Sequence, residues 1–348
     1  MIMNPKSSMR KKTRILAIES SCDETAAAIL VNGTHILSNV VASQTELHAQ
    51  YGGVFPEMAS REHILAIYPV VEEALQQAHL GLDELDVIAV TRGPGLAGSL
   101  VVGMNMAKAL SLGSGLPLIG INHLEGHLYS AWINVDDDKD QITPDFPVVA
   151  LIVSGGHTSL ILMKDHLTYE HLGSTLDDAA GEAFDKVARL LNLPYPGGPS
   201  IQKVAGRGNA TAFQFPRSRL GNSWNFSFSG LKTAVLREVK KLQSEGIVIP
   251  VNDVAASFQA AVVDVLVEKT FAAAEQFSAQ HIIVAGGVSA NRTLRKSMAS
   301  QKQYQVHIPP IKLCTDNAAM IAAAGYFRFI NGFKDKLDID VLPNWPLA

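Results

Sequence analysis

Two distant segments of the chain share one pattern of apolar runs and polar loops. Each has three apolar runs, at 15–19, 26–31 and 36–41 in the first segment and at 148–153, 159–163 and 167–172 in the second. A small polar loop follows the first run each time, Ser-Ser-Cys-Asp-Glu-Thr at 20–25 and Ser-Gly-Gly-His-Thr at 154–158. Short apolar runs bounded by turn residues are typical of buried strands. The repetition predicts a duplicated α/β domain, two related halves with a central cleft.

The length and the charge pattern suggest where the two halves meet. A chain of 348 residues with 47% apolar residues is long enough for two cores. The acidic stretch at 135–140 is the most loop-like part of the sequence. We therefore predict a tail at 1–13, a first half at 14–140, and a second half at 141–348 with an irregular insertion at about 194–230.

Composition excludes several classes of protein. The net charge is −4, so no overall field attracts nucleic acid or an anionic membrane. The two cysteines, Cys22 and Cys314, are too few for a disulfide scaffold or a four-cysteine zinc site. No apolar stretch approaches the roughly 20 residues that span a bilayer. We expect a soluble, cytoplasmic protein that has no membrane partner.

A histidine pair is the clearest candidate for a metal site. His123 and His127 are four residues apart, so both project from one face of a helix. Asp316, just before an alanine-rich helix at 318–330, is the best third ligand, although an aspartate there is also a common N-cap. The zincin protease motif places a glutamate one residue after its first histidine. Glu125 is two residues after His123, about 200° around the helix, and this argues against a protease.

Two glycine-containing loops are candidates for holding a nucleotide. In Ser-Gly-Gly-His-Thr at 154–158, the glycines allow phosphate to approach the backbone. His157 either contacts substrate or caps this loop. Gly-Gly-Val-Ser-Ala-Asn at 286–291 links a buried strand to a helix, an arrangement that holds nucleosides in many doubly wound proteins. Neither loop matches the dinucleotide or the Walker pattern. The glycine-rich turn at 92–99 is a weaker signal, compatible with anion binding or with close packing.

Several further motifs occur together with these loops in one order. They are Glu-Ser-Ser-Cys-Asp-Glu-Thr at 19–25, His-x-x-x-His at 123–127, Val-Ser-Gly-Gly-His-Thr at 153–158, Gly-Glu-Ala-Phe-Asp-Lys-Val-Ala at 181–188, Gly-Gly-Pro at 197–199, the loop at 286–291, and Cys-Thr-Asp-Asn-Ala-Ala-Met-Ile at 314–321. From about residue 15 to 330 the chain resembles the tRNA threonylcarbamoyladenosine transferase family of the bacterial TsaD type. Members of this family were formerly described as O-sialoglycoprotein endopeptidases.

The resemblance implies a fold and a reaction. The fold is that of actin, hexokinase and Hsp70 (the ASKHA fold). The reaction is transfer of the threonylcarbamoyl group from threonylcarbamoyl-AMP to N6 of adenosine 37, with release of AMP. The acceptors are tRNAs that read codons beginning with A. Implied partners are tRNA, a degenerate paralogue of TsaB type and a small ATPase of TsaE type.

The resemblance also implies roles for particular residues. His123, His127 and Asp316 match ligands of one divalent metal, expected to be Fe²⁺, with Zn²⁺ or Mg²⁺ as alternatives. The positions that match adenylate contacts are Val153, Ser154, Gly155, Gly156, His157, Asp185, Gly198 and Asn291. Gln202 departs from the pattern, since many relatives have an acid there that meets the ribose. No residue is assigned as a general base.

Two rival functions belong to other classes. A small-molecule kinase of the same fold would use the loops to bind ATP, but it needs a carboxylate base and Mg²⁺ rather than paired histidines. A non-catalytic scaffold would bind nucleotide and partners without turnover. The histidine pair counts against the kinase, and the intact motifs count against the scaffold.

Overall fold

The computed structural model describes residues 12–134 and 142–348. Most of the tail predicted at 1–13, and the acidic segment at 135–140 that marks the predicted domain boundary, lie outside the described residues. The described parts of the chain form two five-stranded sheets with helices packed on their faces.

The first sheet is built from the N-terminal part of the chain. Its strands are β1 (Arg14–Glu19), β2 (Glu24–Val31), β3 (His35–Ser43), β4 (Val87–Gly93) and β5 (Leu118–Asn122). The helices of this region are α1 (Thr45–Ala49), α2 (Pro56–Ala78), α3 (Ala97–Ser114) and α4 (His123–Tyr129). The strand order is β3-β2-β1-β4-β5, with β1 antiparallel to β2 and parallel to β4.

The second sheet repeats this arrangement strand for strand. Its strands are β6 (Val148–Val153), β7 (Thr158–Asp165), β8 (Thr168–Ser174), β9 (His281–Ala285) and β10 (Gln305–His307). Its helices are α5 (Ala180–Leu190), α6 (Gly197–Ala205), α7 (Ser229–Ser244), α8 (Val251–Gln276) and α9 (Arg292–Ala299), followed by α10 (Ala318–Ile330). The order β8-β7-β6-β9-β10 and the pairing senses match those of the first sheet. The predicted duplication is confirmed.

The central strand β1 is buried on both faces. Alternation along the strand sends Leu16 and Ile18 toward α2 and α3, and sends Ile15 and Ala17 toward α10. All four side chains are completely buried. Burying a side chain the size of leucine or isoleucine contributes roughly 1.5–3 kcal/mol. An unbroken apolar run is therefore what this position in the sheet requires.

The last helix of the chain returns to the first sheet. The alanine-rich α10 packs across β1 and β2, and a Cβ on its Gly325 would lie 2.8 Å from the Cβ of Ala89 in β4. Residues from the range 141–348 thus pack against both sheets, and the domain limits given above stay a prediction. This return places Asp316, which precedes α10, beside α4. Within 12–134 and 142–348, no helix is long and apolar enough to cross a bilayer.

The region expected to be an irregular insertion contains regular structure. Helix α6 occupies 197–205 and α7 begins at Ser229, so within this region only 194–196 and 206–228 lie outside helices. Gly-Gly-Pro at 197–199 resembles a turn, but Pro199 lies in the first helical turn, where a missing N–H loses no hydrogen bond. Helix α5 begins at Ala180, so Asp177 lies outside it. The Asp177 carboxylate instead accepts hydrogen bonds from the backbone of Phe228 and Ser229 at the start of α7.

Candidate functional site

The two histidines and the aspartate predicted as metal ligands come together at one point. His123 and His127 lie one turn apart on α4, and Asp316 lies on the loop before α10. One ligand atom from each residue falls within 4.8 Å of the others. Asp316 Oδ1 is 3.5 Å from His123 Nε2 and 3.2 Å from His127 Nε2. This arrangement is a possible metal site.

The hydrogen bonding of these side chains fits a metal. Both ring nitrogens of His127 are buried and make no hydrogen bond, although buried polar atoms are normally paired. Asp316 is not the N-cap of α10, because Asn317 accepts the hydrogen bond from Met320 N–H instead. The alternative role for Asp316 is therefore taken by its neighbour. Two imidazoles and a carboxylate are a suitable donor set for a transition metal.

A carboxylate behind His123 fixes the orientation of its ring. His123 Nδ1 lies 3.2 Å from Glu19 Oε2 and 3.1 Å from Ser21 Oγ. The Glu19 carboxylate also accepts hydrogen bonds from Ser21 N–H and from the Thr91 hydroxyl. A carboxylate bonded to the far nitrogen is the usual support of a metal-binding histidine. Because Glu19 contacts Nδ1, the other ring nitrogen of His123, Nε2, is directed at Asp316.

The charges in this cluster perturb one another strongly. Burial raises the pKa of Asp316, but the two histidines outweigh it and hold that pKa well below its usual range. Burial lowers the pKa of His123, yet Asp316 and Glu19 raise it above its ordinary value. For His157, burial and then the neighbouring His123 and His127 lower the pKa to about 4. His157 is therefore close to the histidine pair and neutral at physiological pH.

The Ser-Gly-Gly-His-Thr loop presents open backbone next to this cluster. Ser154 N–H donates to the carbonyl of His157, and His157 N–H donates to Ser154 Oγ, so the loop closes on itself. A Cβ on Gly155 or Gly156 would meet no protein atom within 4 Å. Before the loop, the Val153 backbone is covered closely by Gly286, whose added Cβ would lie 2.6 Å from the Val153 carbonyl. The glycine backbone is thus exposed to a ligand.

A cavity of about 200 Å³ lies beside this loop. It is lined by Gly155, Gly181, Phe184, Asp185, Gly198, Pro199, Gln202, Gly287, Val288, Ala290 and Asn291. The lining includes four of the predicted adenylate positions, Gly155, Asp185, Gly198 and Asn291, from four separate segments of the chain. Gln202 also borders a second cavity of about 550 Å³. Its Oε1 accepts a hydrogen bond from Arg292 N–H at 2.6 Å.

Two polar side chains that line the 200 Å³ cavity, Asp185 and Asn291, also form hydrogen bonds within the protein. Asp185 Oδ1 accepts a hydrogen bond from Gly197 N–H at 2.7 Å, and burial raises the pKa of its carboxyl. Asn291 caps α9 through Oδ1, while its amide nitrogen donates to Gln259 Oε1 at 2.8 Å. One amide hydrogen of Asn291 stays available to a ligand. These bonds hold both side chains in place at the cavity wall.

Two supporting residues were not assigned from the sequence. Glu19 stands inside a motif that was singled out, yet nothing in the sequence alone pairs it with His123, 104 positions away. Gln259 lies in α8 and is 93% buried, where it bonds both Asn291 and Thr293. A glutamine inside an apolar, alanine-rich helix was a usable signal for a buried polar contact.

The glycine-rich turn at 92–99 serves packing. A Cβ on Gly93 would lie 1.8 Å from the carbonyl oxygen of Leu342, and one on Gly95 would lie 2.5 Å from the carbonyl oxygen of Ser21. Gly98 and Gly103 similarly pack against Ser60 and Ser20. Of the two interpretations of this turn, the structure favours close packing.

Sequence comparison identifies the family. The profile of the TsaD family, tRNA N6-adenosine threonylcarbamoyltransferase, matches residues 35–323. The chain belongs to this family. A TsaD relative from Dehalococcoides mccartyi is 54% identical over 330 residues, covering 95% of this chain and 98% of the relative. Others from Thermomicrobium roseum and Clostridium botulinum are each 51% identical and cover 96% and 98% of this chain, and 97% and 99% of their own lengths. All three have the name tRNA N6-adenosine threonylcarbamoyltransferase.

Solved structures show the fold. HypF from T. kodakarensis superposes with a TM-score of 0.62 at 13% identity, over 94% of this chain and 50% of HypF. The ADPNP-bound activator of 2-hydroxyisocaproyl-CoA dehydratase from Clostridium difficile gives a TM-score of 0.50 at 15% identity, over 92% and 96% of the two chains. The duplicated actin-like fold is confirmed. Membership of the TsaD family does not favour the kinase alternative.

Proposed function

We propose that this chain transfers the threonylcarbamoyl group from threonylcarbamoyl-AMP to N6 of adenosine 37 in tRNAs that read codons beginning with A. The observation that supports this best is the proximity of two sites: Gly155 of the loop at 154–158 lines the cavity of about 200 Å³, and His157 of the same loop is close to the His-His-Asp cluster. A donor that joins AMP to an acyl group needs both in one place.

In the proposed complex, the adenylate lies in the 200 Å³ cavity. Asp185 and Asn291, each fixed by a protein hydrogen bond, contact the nucleoside. The glycine backbone at 155–156 faces the phosphate, with N–H groups that suit an anion. A pre-organised pocket of this kind positions the acyl carbon without further ordering of the protein.

The reaction is acyl transfer to an amine. N6 of the adenine forms a bond to the carbamoyl carbon, the bond from that carbon to the phosphate oxygen breaks, AMP leaves, and N6 loses one proton. Bound at His123, His127 and Asp316, a divalent metal would supply a Lewis acid for this chemistry. Neutral His157, beside the cluster, is able to hydrogen-bond the phosphate or the acyl group without repelling a cation.

For the metal itself we propose Fe²⁺, with Zn²⁺ and Mg²⁺ as alternatives. Two imidazoles and one carboxylate with open positions are typical of non-haem Fe²⁺ sites. Mg²⁺ prefers oxygen ligands, so it fits this set least well. Metal analysis of protein purified without added metal distinguishes the three.

Helper proteins form part of the proposal: a degenerate paralogue of TsaB type and a small ATPase of TsaE type. An apolar surface on α2 supports docking of a protein partner. Ile64, Leu65 and Tyr68 are 63–70% exposed there, and Val101 of the neighbouring α3 is 39% exposed. Exposed large apolar side chains in one patch are typical of interaction sites. Leu65→Asp would weaken co-purification with the paralogue and leave the fold intact.

Reconstitution tests the reaction. Purified protein is incubated with the helper proteins, an enzyme that forms threonylcarbamoyl-AMP, threonine, bicarbonate, ATP and unmodified tRNA, and the digested RNA is analysed by mass spectrometry for threonylcarbamoyladenosine. We expect the nucleoside only when this chain is present, and much less with Asp316→Ala. Asp264→Asn, which removes an exposed ion pair with Arg217, is the matched control and retains activity. Absence of the product, when the adenylate is shown to form, would overturn the proposal.

A further inference from the structure

A buried glutamate on the metal-site helix faces away from the cluster. Glu125 lies between His123 and His127 in α4, and its side chain is completely buried. Arg328 of α10 binds it through two contacts, Nε to Oε2 at 2.5 Å and Nη2 to Oε1 at 3.2 Å. The Tyr169 hydroxyl of β8 donates to Oε1 at 2.6 Å. One carboxylate therefore joins three elements.

Two of those elements supply the metal ligands. His123 and His127 belong to α4, whereas Asp316 stands directly before α10. The two helices pack closely, since a Cβ on Gly126 would lie 2.7 Å from Cδ1 of Ile321. Close packing of small residues sets the separation of the two helices. A bidentate arginine–carboxylate pair fixes direction as well as distance.

We propose that Glu125 is a positioning residue for the metal centre, because its pair with Arg328 sets the register of α4 against α10 and so the geometry of the two histidines and the aspartate. The inference rests on the proposed metal site. It assigns Glu125 no contact with metal or substrate. Tyr169 adds a link to the second sheet, since β8 is its edge strand.

If the Glu125–Arg328 pair only stabilised the fold, its loss would lower the melting temperature without a specific effect on metal affinity. Breaking any buried ion pair leaves one charge without a partner, and this destabilises a protein wherever the pair lies. Only a positioning role couples this particular pair to metal binding. The measurement must therefore separate metal affinity from the melting temperature.

The experiment titrates chelator-treated protein with Co²⁺ and records its visible absorption, which reports both affinity and ligand geometry. We expect Glu125→Gln to weaken Co²⁺ binding by about 10-fold, the low end of the effect of residues that orient metal ligands directly, and to change the band shape. Asp178→Asn is the matched control. Asp178 bonds Lys186 and Lys232 away from α4 and α10, so its loss lowers the melting temperature without changing Co²⁺ affinity.

A second variant covers the case in which Glu125→Gln does not fold. Glu125→Leu combined with Arg328→Met leaves no unpaired buried charge, and such replacements are often neutral for stability. We expect this double variant to fold and, like Glu125→Gln, to bind Co²⁺ more weakly than the unaltered protein does. Wild-type affinity and spectrum in either folded variant would overturn the inference, while the proposed reaction would stand. Failure of the unaltered protein to bind Co²⁺ would instead overturn the metal site itself.

Discussion

Nδ1 of His123 lies 3.2 Å from Oε2 of Glu19, and the same carboxylate accepts hydrogen bonds from Ser21 and Thr91. Glu19 thus holds the imidazole with Nε2 directed at Asp316. We predict that Glu19→Gln weakens metal binding by about 10- to 100-fold, because the amide no longer stabilises the ring orientation through a charge. Titration of metal-free protein with Zn²⁺ against a chelating dye measures this.

The neighbouring Thr91 provides the control for that prediction. Thr91→Val removes one hydrogen bond from Glu19 and leaves the contact with His123 in place. Its effect on metal affinity should be clearly smaller. Equal affinities for Glu19→Gln and the unaltered protein would show that the carboxylate does not support the site.

Removal of the metal ligands tests whether metal and transfer depend on each other. In the double variant His123→Ala with His127→Ala, we expect metal content and threonylcarbamoyl transfer to be lost together, since one carboxylate cannot retain the ion alone. Metal content is measured by mass spectrometry of the purified protein, and transfer by the nucleoside assay. Full transfer without metal would exclude the metal from the reaction.

The sequence was informative wherever local pattern determines structure. Unbroken apolar runs identified β1 and β6 because these central strands are buried on both faces. The placement of His123 and His127 on one face of α4 followed directly from their spacing of four residues. Gly197–Ala205 was missed because Gly-Gly-Pro resembles a turn, and only packing of α6 on α8 and α5 favours the helix. Glu19 and Gln259 were missed because their partners are distant in sequence.

Substitution of two glycines at the candidate nucleotide site should distinguish an effect on ligand binding from an effect on stability. A Cβ on Gly198 would meet no protein atom within 4 Å, whereas one on Gly181 would lie 2.6 Å from the Ser154 carbonyl oxygen. We predict that Gly198→Ala, within α6, does not lower the melting temperature but weakens AMP binding by roughly tenfold, about 1.4 kcal/mol, because the methyl group enters the cavity. Gly181→Ala should instead cost about 1–3 kcal/mol of stability, since backbone must shift.

Calorimetric titration with AMP and thermal unfolding together check this pair. Gly113→Ala is the control, because an added Cβ there also meets no atom and the residue lies on α3, distant in sequence from every residue of the cavity lining. Unchanged AMP affinity in Gly198→Ala would show that ligand does not approach this glycine.

A histidine pair on the edge of the second sheet predicts a pH dependence of stability. His281 Nδ1 lies 2.9 Å from His307 Nε2, and the rings stack at 5.1 Å. Burial, and then the neighbouring His281, lower the pKa of His307 to about 4. The folded protein therefore keeps His307 neutral at pH values where the unfolded chain, with a histidine pKa near 6.5, binds a proton.

Stability should consequently fall as the pH drops from about 6.5 to about 4, and the contribution of His307 should become constant below that range. His307→Phe retains a ring against His281 and cannot take up a proton, so its melting temperature should change less across this interval. His35→Asn, at an exposed histidine, is the control and should follow the unaltered protein. Melting curves between pH 7.5 and pH 4 would decide the matter, because parallel curves for His307→Phe and the unaltered protein would mean that other groups cause the acid sensitivity.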